Sequence, residues 1–199
     1  MKRLISAALA TALAFSLVAC GGEGTSSSSP AGQSSAAPNS SQATDEAPAS
    51  SSASADLTTS QKNALAAAKQ YIAIMDFSHD GLVGQLEYEE YPSEDAIWAV
   101  DNCGADWNAE ALEAAKGYVN IMAFSYSSLN DQLVHDKFTA DQAKYGADNC
   151  GADWFAEAAE AAKDYLDIMP FSRSGLIDQL EHDGFTAEQA EHGVTAAGY

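Results

Sequence analysis

The chain has 199 residues, 46% of them hydrophobic, with nine basic against 29 acidic residues and a net charge of −20 at pH 7. A surface that acidic repels phosphodiesters and anionic lipid head groups, which argues against nucleic acid as a partner and for cationic ones. Most of the carboxylates need no partner beyond water.

The chain opens on "MKRLISAALATALAFSLVAC", with Lys2 and Arg3 ahead of an uncharged, mostly apolar run from Leu4 to Ala19. That order of charge and grease is a secretory signal, and it is short for a membrane span, which takes about 20 apolar residues. Its end, "LVAC", resembles a bacterial lipobox. In proteins carrying that motif the chain is cut before the Cys, whose thiol then carries a diacylglyceryl group. Residues 1–19 are therefore expected to be removed, Cys20 to be the lipid attachment site, and the remainder to sit on the extracellular face of the cell membrane. Loss of Lys2 and Arg3 leaves seven basic residues against 29 acids, a net charge of −22.

Residues 20–60 are rich in Ser, Ala and Pro, with Leu57 as the one large aliphatic residue and no aromatic. Such a segment buries too little apolar area to offset its ordering entropy, so it is read as a disordered tether. Some forty residues of flexible coil span roughly 35 Å on average and at most about 140 Å when stretched.

Beyond the tether the chain repeats itself without gaps. Tyr71, Tyr118 and Tyr165 stand 47 residues apart, as do Met75, Met122, Met169 and Phe77, Phe124, Phe171. Leu82, Leu129 and Leu176 follow, then Gln85-Leu86, Gln132-Leu133 and Gln179-Leu180, and "DNCGADW" at 101–107 returns at 148–154. A period of this size marks an array of one supersecondary unit. The copies are assigned to 61–107, 108–154 and a truncated 155–199.

Each copy reads as three helices, here called A, B and C. In the middle copy Ala111, Leu112, Ala115, Tyr118, Val119 and Met122 make a helical apolar stripe for helix A, and Asp106 stands where an N-cap belongs. Pro170 ends helix A of the last copy. Ser78, Ser125 and Ser172 are candidate caps for helix B, which buries Leu82, Leu86 and their equivalents. Thr139 with Gln142 and Thr186 with Gln189 form capping boxes for helix C. The first copy has Pro92-Ser93 there, which suggests a cap shifted by a residue. Gly104 and Gly151 stand where helix C should stop. Units of this size are near the lower limit for a self-sufficient core. Neighbours are therefore expected to lean on one another and to share helix A across the boundary, with Trp107 and Trp154 at the joints. The fold class is all-α: tandem small three-helix repeats of helix-turn-helix type behind a disordered tether.

A helix-turn-helix invites a DNA reading, and the charge opposes it. A DNA reader places Lys and Arg on phosphates and polar side chains against base edges. The second helices here carry Glu94 and Asp95, then Asp141, then Glu188 and Glu191, with Lys144 their one basic residue. In "DNCGADW" the Gly is fourth and the oxygen donors do not alternate, unlike a calcium loop. Neither His135 nor His182, the equivalent histidines, has a His or Cys at zinc-ligand spacing, so all four histidines are read as surface residues. The sequence offers no nucleophile elbow, phosphate-cradling glycine loop or Cys–His arrangement. No metal, cofactor or enzymatic activity is expected. Cys103 and Cys150 occupy the same repeat position. Equivalent atoms in stacked copies usually lie about a domain width apart, whereas a disulfide needs its Cα atoms within roughly 7 Å, so two separate, partly buried thiols are favoured over an internal or intermolecular disulfide.

The segment "AKDYLDIMPFSRSGLIDQLEHDGFTAEQAEHGV" and the "ADNCGADW" before it, with the lipobox and Ser-rich tether, resemble the Ltp-like host cell surface-exposed lipoproteins. The resemblance implies tandem helix-turn-helix domains outside a Gram-positive cell. Phage-encoded members of that family act in superinfection exclusion, blocking injection of another phage's DNA through contact with the incoming machinery, while many chromosomal members have no assigned role, and the resemblance is to both groups alike. Copies one and two depart from the pattern. "FSHDGLVGQLEYEEYPSEDAIWAV" lacks the Gly and Phe of the turn, and Ser128 stands where the other copies have Gly. Two functions are compatible with these features. One is a membrane-anchored, non-catalytic binding lipoprotein that engages a cationic segment of a phage protein through Asp178, Glu181, Asp183, Glu188 and Glu191. The alternative is a host envelope adhesion or scaffold module, in which linked copies raise effective concentration.

Overall fold

A computed structural model describes residues 57–199; the signal, Cys20 and the tether up to residue 56 lie outside the described residues. All regular structure among the described residues is helical. The first copy holds α1 (Thr59–Ile72), α2 (His79–Tyr88) and α3 (Ser93–Asn102); the second holds α4 (Trp107–Ile121), α5 (Tyr126–His135) and α6 (Ala140–Asn149). The third holds α7 (Trp154–Ile168), α8 (Arg173–His182) and α9 (Ala187–Ala196). Thr58 and Gln61 form a capping box for α1, so the last residues read as tether already belong to its first turn.

The helix ends follow the short polar side chains. Asp106 and Asp153 accept the first free amides of α4 and α7. Ser78, Ser125 and Ser172 cap the B helices, and Thr139 and Thr186 close capping boxes with Gln142 and Gln189. The first copy does not shift its cap. Pro92 takes the N-cap position itself with no side-chain hydrogen bond, and its extended ψ of 138° lets α3 start in the same register. After α3 and α6 the chain reverses through Gly104 and Gly151 at φ of +84° and +80°, the left-handed geometry a residue without Cβ adopts freely.

Each copy closes its own core. Two leucines of helix B in each unit are fully buried: Leu82 and Leu86, Leu129 and Leu133, Leu176 and Leu180. Burying such a side chain is worth roughly 1.5–3 kcal/mol. The floor they rest on is mostly alanine, because helices A and C make the most extensive contact in every copy. At Gly146 an added Cβ would sit 2.6 Å from the Ala111 carbonyl oxygen, and at Gly193 it would sit 2.5 Å from that of Ala158. Sharing of helix A between units is confined to its front edge, where Trp107 of α4 and Trp154 of α7 reach the preceding copy. The three apolar clusters stay within their own copies apart from edge residues such as Trp107 and Trp154, because each short helix A is already covered by its own B and C. Met122 also leaves the predicted stripe. It is the residue after α4, in extended backbone, and is 56% exposed.

A polar triad explains why Tyr and Gln recur. In the second copy the Tyr118 hydroxyl donates to Asp136 Oδ2 at 2.5 Å, and the Gln132 amide reaches both Tyr118 (3.3 Å) and Asp136 (3.1 Å). In the third copy Tyr165, Gln179 and Asp183 repeat it; in the first, Tyr71, Gln85 and Glu89 do. The triad pins the end of helix A to the helix-turn-helix turn. That turn is left-handed in every copy, at Glu90 (φ 66°), Lys137 (φ 68°) and Gly184 (φ 88°). The first two copies lack the glycine and keep the geometry.

Candidate partner-binding site

Successive copies meet through a joint that repeats with the sequence. The chain between helices A and B of one copy docks on helix A and the turn of the next. The Ser78 hydroxyl donates to the Asp136 carbonyl at 2.6 Å, and Ser125 does the same to Asp183 at 2.7 Å. The Phe77 amide donates to Glu110 Oε2 at 3.3 Å and the Phe124 amide to Glu157 Oε2 at 3.1 Å. Partial burial raises the pKa of Glu110 and Glu157 above the usual carboxylate range, and the backbone amide only partly counters it. Ser127 adds a bond to the Gly184 carbonyl at 2.9 Å.

The tryptophans expected at the joints are there. Trp107, in the first turn of α4, meets His79 edge-on, and Trp154, in α7, meets Tyr126. His79 is not a plain surface residue. Its ring bridges Asp80 at 2.8 Å and Asp101 at 2.9 Å. Burial pulls its pKa down, and the two carboxylates more than offset that, leaving it above the ordinary value. His135 and His182 are exposed as expected. In "DNCGADW" Asp101 holds His79, Asn102 bonds the Trp98 carbonyl and Asp106 caps α4. Cys103 is buried, Cys150 half-buried, and both are free.

Of the acidic residues singled out in the last copy, Asp178, Glu181 and Glu188 are exposed on α8 and α9. The other two are engaged. Asp183 is half-buried and accepts from Tyr165, and Glu191 pairs with Arg173 across the two helices. That pair holds the Glu191 carboxyl below its usual range.

Each joint also encloses a cleft on one side of the chain. The first has a volume of about 420 Å³ and is lined by Asp76, Phe77, Tyr118, Ile121, Asp136 and Lys137 among others. The second, about 450 Å³, occupies the equivalent place and includes Met122, Phe124, Asp164, Tyr165 and Ile168. Neither was read from the sequence as a site. Part of the signal lies in the exposed Ile-Met pairs that recur where every helix A ends: Ile121 lines the first cleft and Met122 and Ile168 the second, whereas Ile74, Met75 and Met169 line neither.

The profile of the family described as "Host cell surface-exposed lipoprotein" (Ltp) matches three times in tandem, at residues 59–103, 106–150 and 153–196. The chain belongs to that family. Each match covers one Ltp unit of three helices. A search of solved structures finds that of Ltp, a superinfection exclusion protein from the Streptococcus thermophilus temperate phage TP-J34. It is 35% identical over 47% of this chain and 98% of that one, with a TM-score of 0.45. No curated protein matches significantly. Among the described residues no helix is long and apolar enough to cross a membrane, and no group of His, Cys, Asp and Glu side chains is placed to hold a metal.

Proposed function

We propose that this lipoprotein is held on the outer face of the cell membrane by a lipid on Cys20. There it acts without catalysis, blocking injection of a second phage's DNA by binding a cationic segment of an incoming phage protein. The observation that carries the reading is three linked Ltp units in an acidic chain of net charge −20. Linked units raise the effective concentration of a weak contact without adding new chemistry. The open carboxylates of Asp178, Glu181 and Glu188 supply attraction for a basic partner, and Asp183 and Glu191 add to the local negative field while engaged within the fold.

The test separates the steps of infection. A sensitive host expressing the lipoprotein should adsorb phage normally and show a large fall in DNA injection; unchanged injection refutes the proposal. Cys20→Ala should move the protein out of the membrane fraction and abolish the block, leaving the repeats folded. A protein that stays in the membrane fraction after that change refutes the anchor. Altered adhesion or wall properties in a deletion strain, with phage sensitivity unchanged, would replace this reading with an envelope scaffold.

A further inference from the structure

We propose that the cleft between the second and third copies is a docking site for a partner segment that combines an apolar anchor with lysine or arginine. This deepens the binding role proposed above and rests on it. Ile168 and Met122 at this cleft are 77% and 56% exposed, although each copy's core is closed without them. Apolar side chains left in water beside a concavity are a usual mark of a surface that is covered by something else. Methionine suits such a surface because its unbranched, polarisable chain adapts to the guest.

The two joints share a shape and differ in chemistry, and that difference chooses both the cleft and its occupant. In the first, Lys137 stands on the rim among Asp76 and Asp136. In the second, Gly184 takes the place of Lys137, Ala123 that of Asp76, and Asp164 that of Gly117. The charged residues lining the second cleft are thus carboxylates alone, Asp164 and Asp183. Asp183 is committed to Tyr165 and Gln179, and Asp164 is exposed and open to a cation. Ile168 and Met122 select an apolar side chain, and Asp164 selects the positive charge next to it.

The test uses the full lipoprotein in detergent at physiological salt, titrated with two synthetic peptides of about 15 residues, the length at which an isolated helix becomes marginal. One places leucines on one helical face and lysines on the other; its partner keeps the lysines and replaces each leucine with serine. The leucine peptide should bind at least about tenfold more tightly, the effect of burying one or two apolar anchors. Met122→Ser with Ile168→Ser should abolish that preference, and Asp164→Asn should weaken both peptides. Ile74→Ser with Met75→Ser, an equally exposed pair that lines neither cleft, should leave the preference intact. Circular dichroism should show all variants folded, since every altered side chain is exposed. Equal binding of the two peptides, or an undiminished preference in the Met122/Ile168 variant, overturns the proposal. A wild-type protein that shows the preference and fails to block DNA injection overturns the phage role and leaves the cleft standing.

Discussion

Replacing Gly193 with alanine sets two effects against each other at a site where their sizes are known. In the middle of α9 the change should gain about 0.8–1 kcal/mol from helix propensity. The new methyl would sit 2.5 Å from the Ala158 carbonyl oxygen, 2.7 Å from its carbon and 3.1 Å from its Cβ. Restoring ordinary contact requires α7 and α9 to separate by about 1 Å, and their interface is the closest packed in the third copy. Overpacking of this kind costs about 1–3 kcal/mol, and here the obstacle is backbone, which cannot swing aside. The net expectation is a loss of about 1 kcal/mol, a fall in Tm of roughly 2–4 °C for a domain of this size. Chemical denaturation followed by circular dichroism measures it, with hydrogen exchange reporting whether α9 opens first. The first copy supplies an internal contrast, because the equivalent position is Ala99, fully buried. Ala99→Gly should therefore destabilise as well. A Gly193→Ala protein that is more stable than the parent refutes the packing argument.

Other outcomes follow from the joints and the triad. Ser125→Ala removes both the cap of α5 and the bond to the Asp183 carbonyl, a loss of about 2 kcal/mol. Ser172→Ala removes a cap alone and should lose about half as much; equal losses in denaturation would show that the joint bond contributes nothing. Burial and the Asp136 carboxylate push Tyr118 up to about 12. Its folded pKa lies above its unfolded value near 10, so its contribution is intact below pH 10 and is lost as pH rises toward 12. Tyr118→Phe should flatten that alkaline decline, read by unfolding at stepped pH. Lys137→Gly relieves a left-handed non-glycine residue and should stabilise by about 1 kcal/mol in the same denaturation assay.

The parts of this fold that could be read from sequence are the ones set by local chemistry. Asp106, Ser125 and Thr139 cap their helices because a short oxygen-bearing side chain beside free amides leaves few alternatives, and the leucine pairs are buried because they stand four residues apart on one face of helix B. Pro92 departs from the expected cap shift because a proline can occupy the cap position by conformation alone. Met122 was placed on the apolar stripe because periodicity carries no information about where a helix stops. His79 escaped because its partner Asp101 lies on another helix, a tertiary pairing that no spacing rule reveals. The Tyr–Gln–acid triad was within reach. Its members stand 14 and 18 residues apart in every copy, a co-repetition of polar residues that the period itself displays.

The joint joins unlike surfaces, the front of one unit to the back of the next, and so has no built-in stopping point. The first copy lacks the acceptor that such a joint uses, because Asn63 stands in the place of Glu110 and Glu157. An array assembled this way always has one fewer crevice than it has modules. Gene duplication within the lineage would therefore add crevices in whole numbers, each free to acquire its own lining, while a shortened relative with a single module would have none at all.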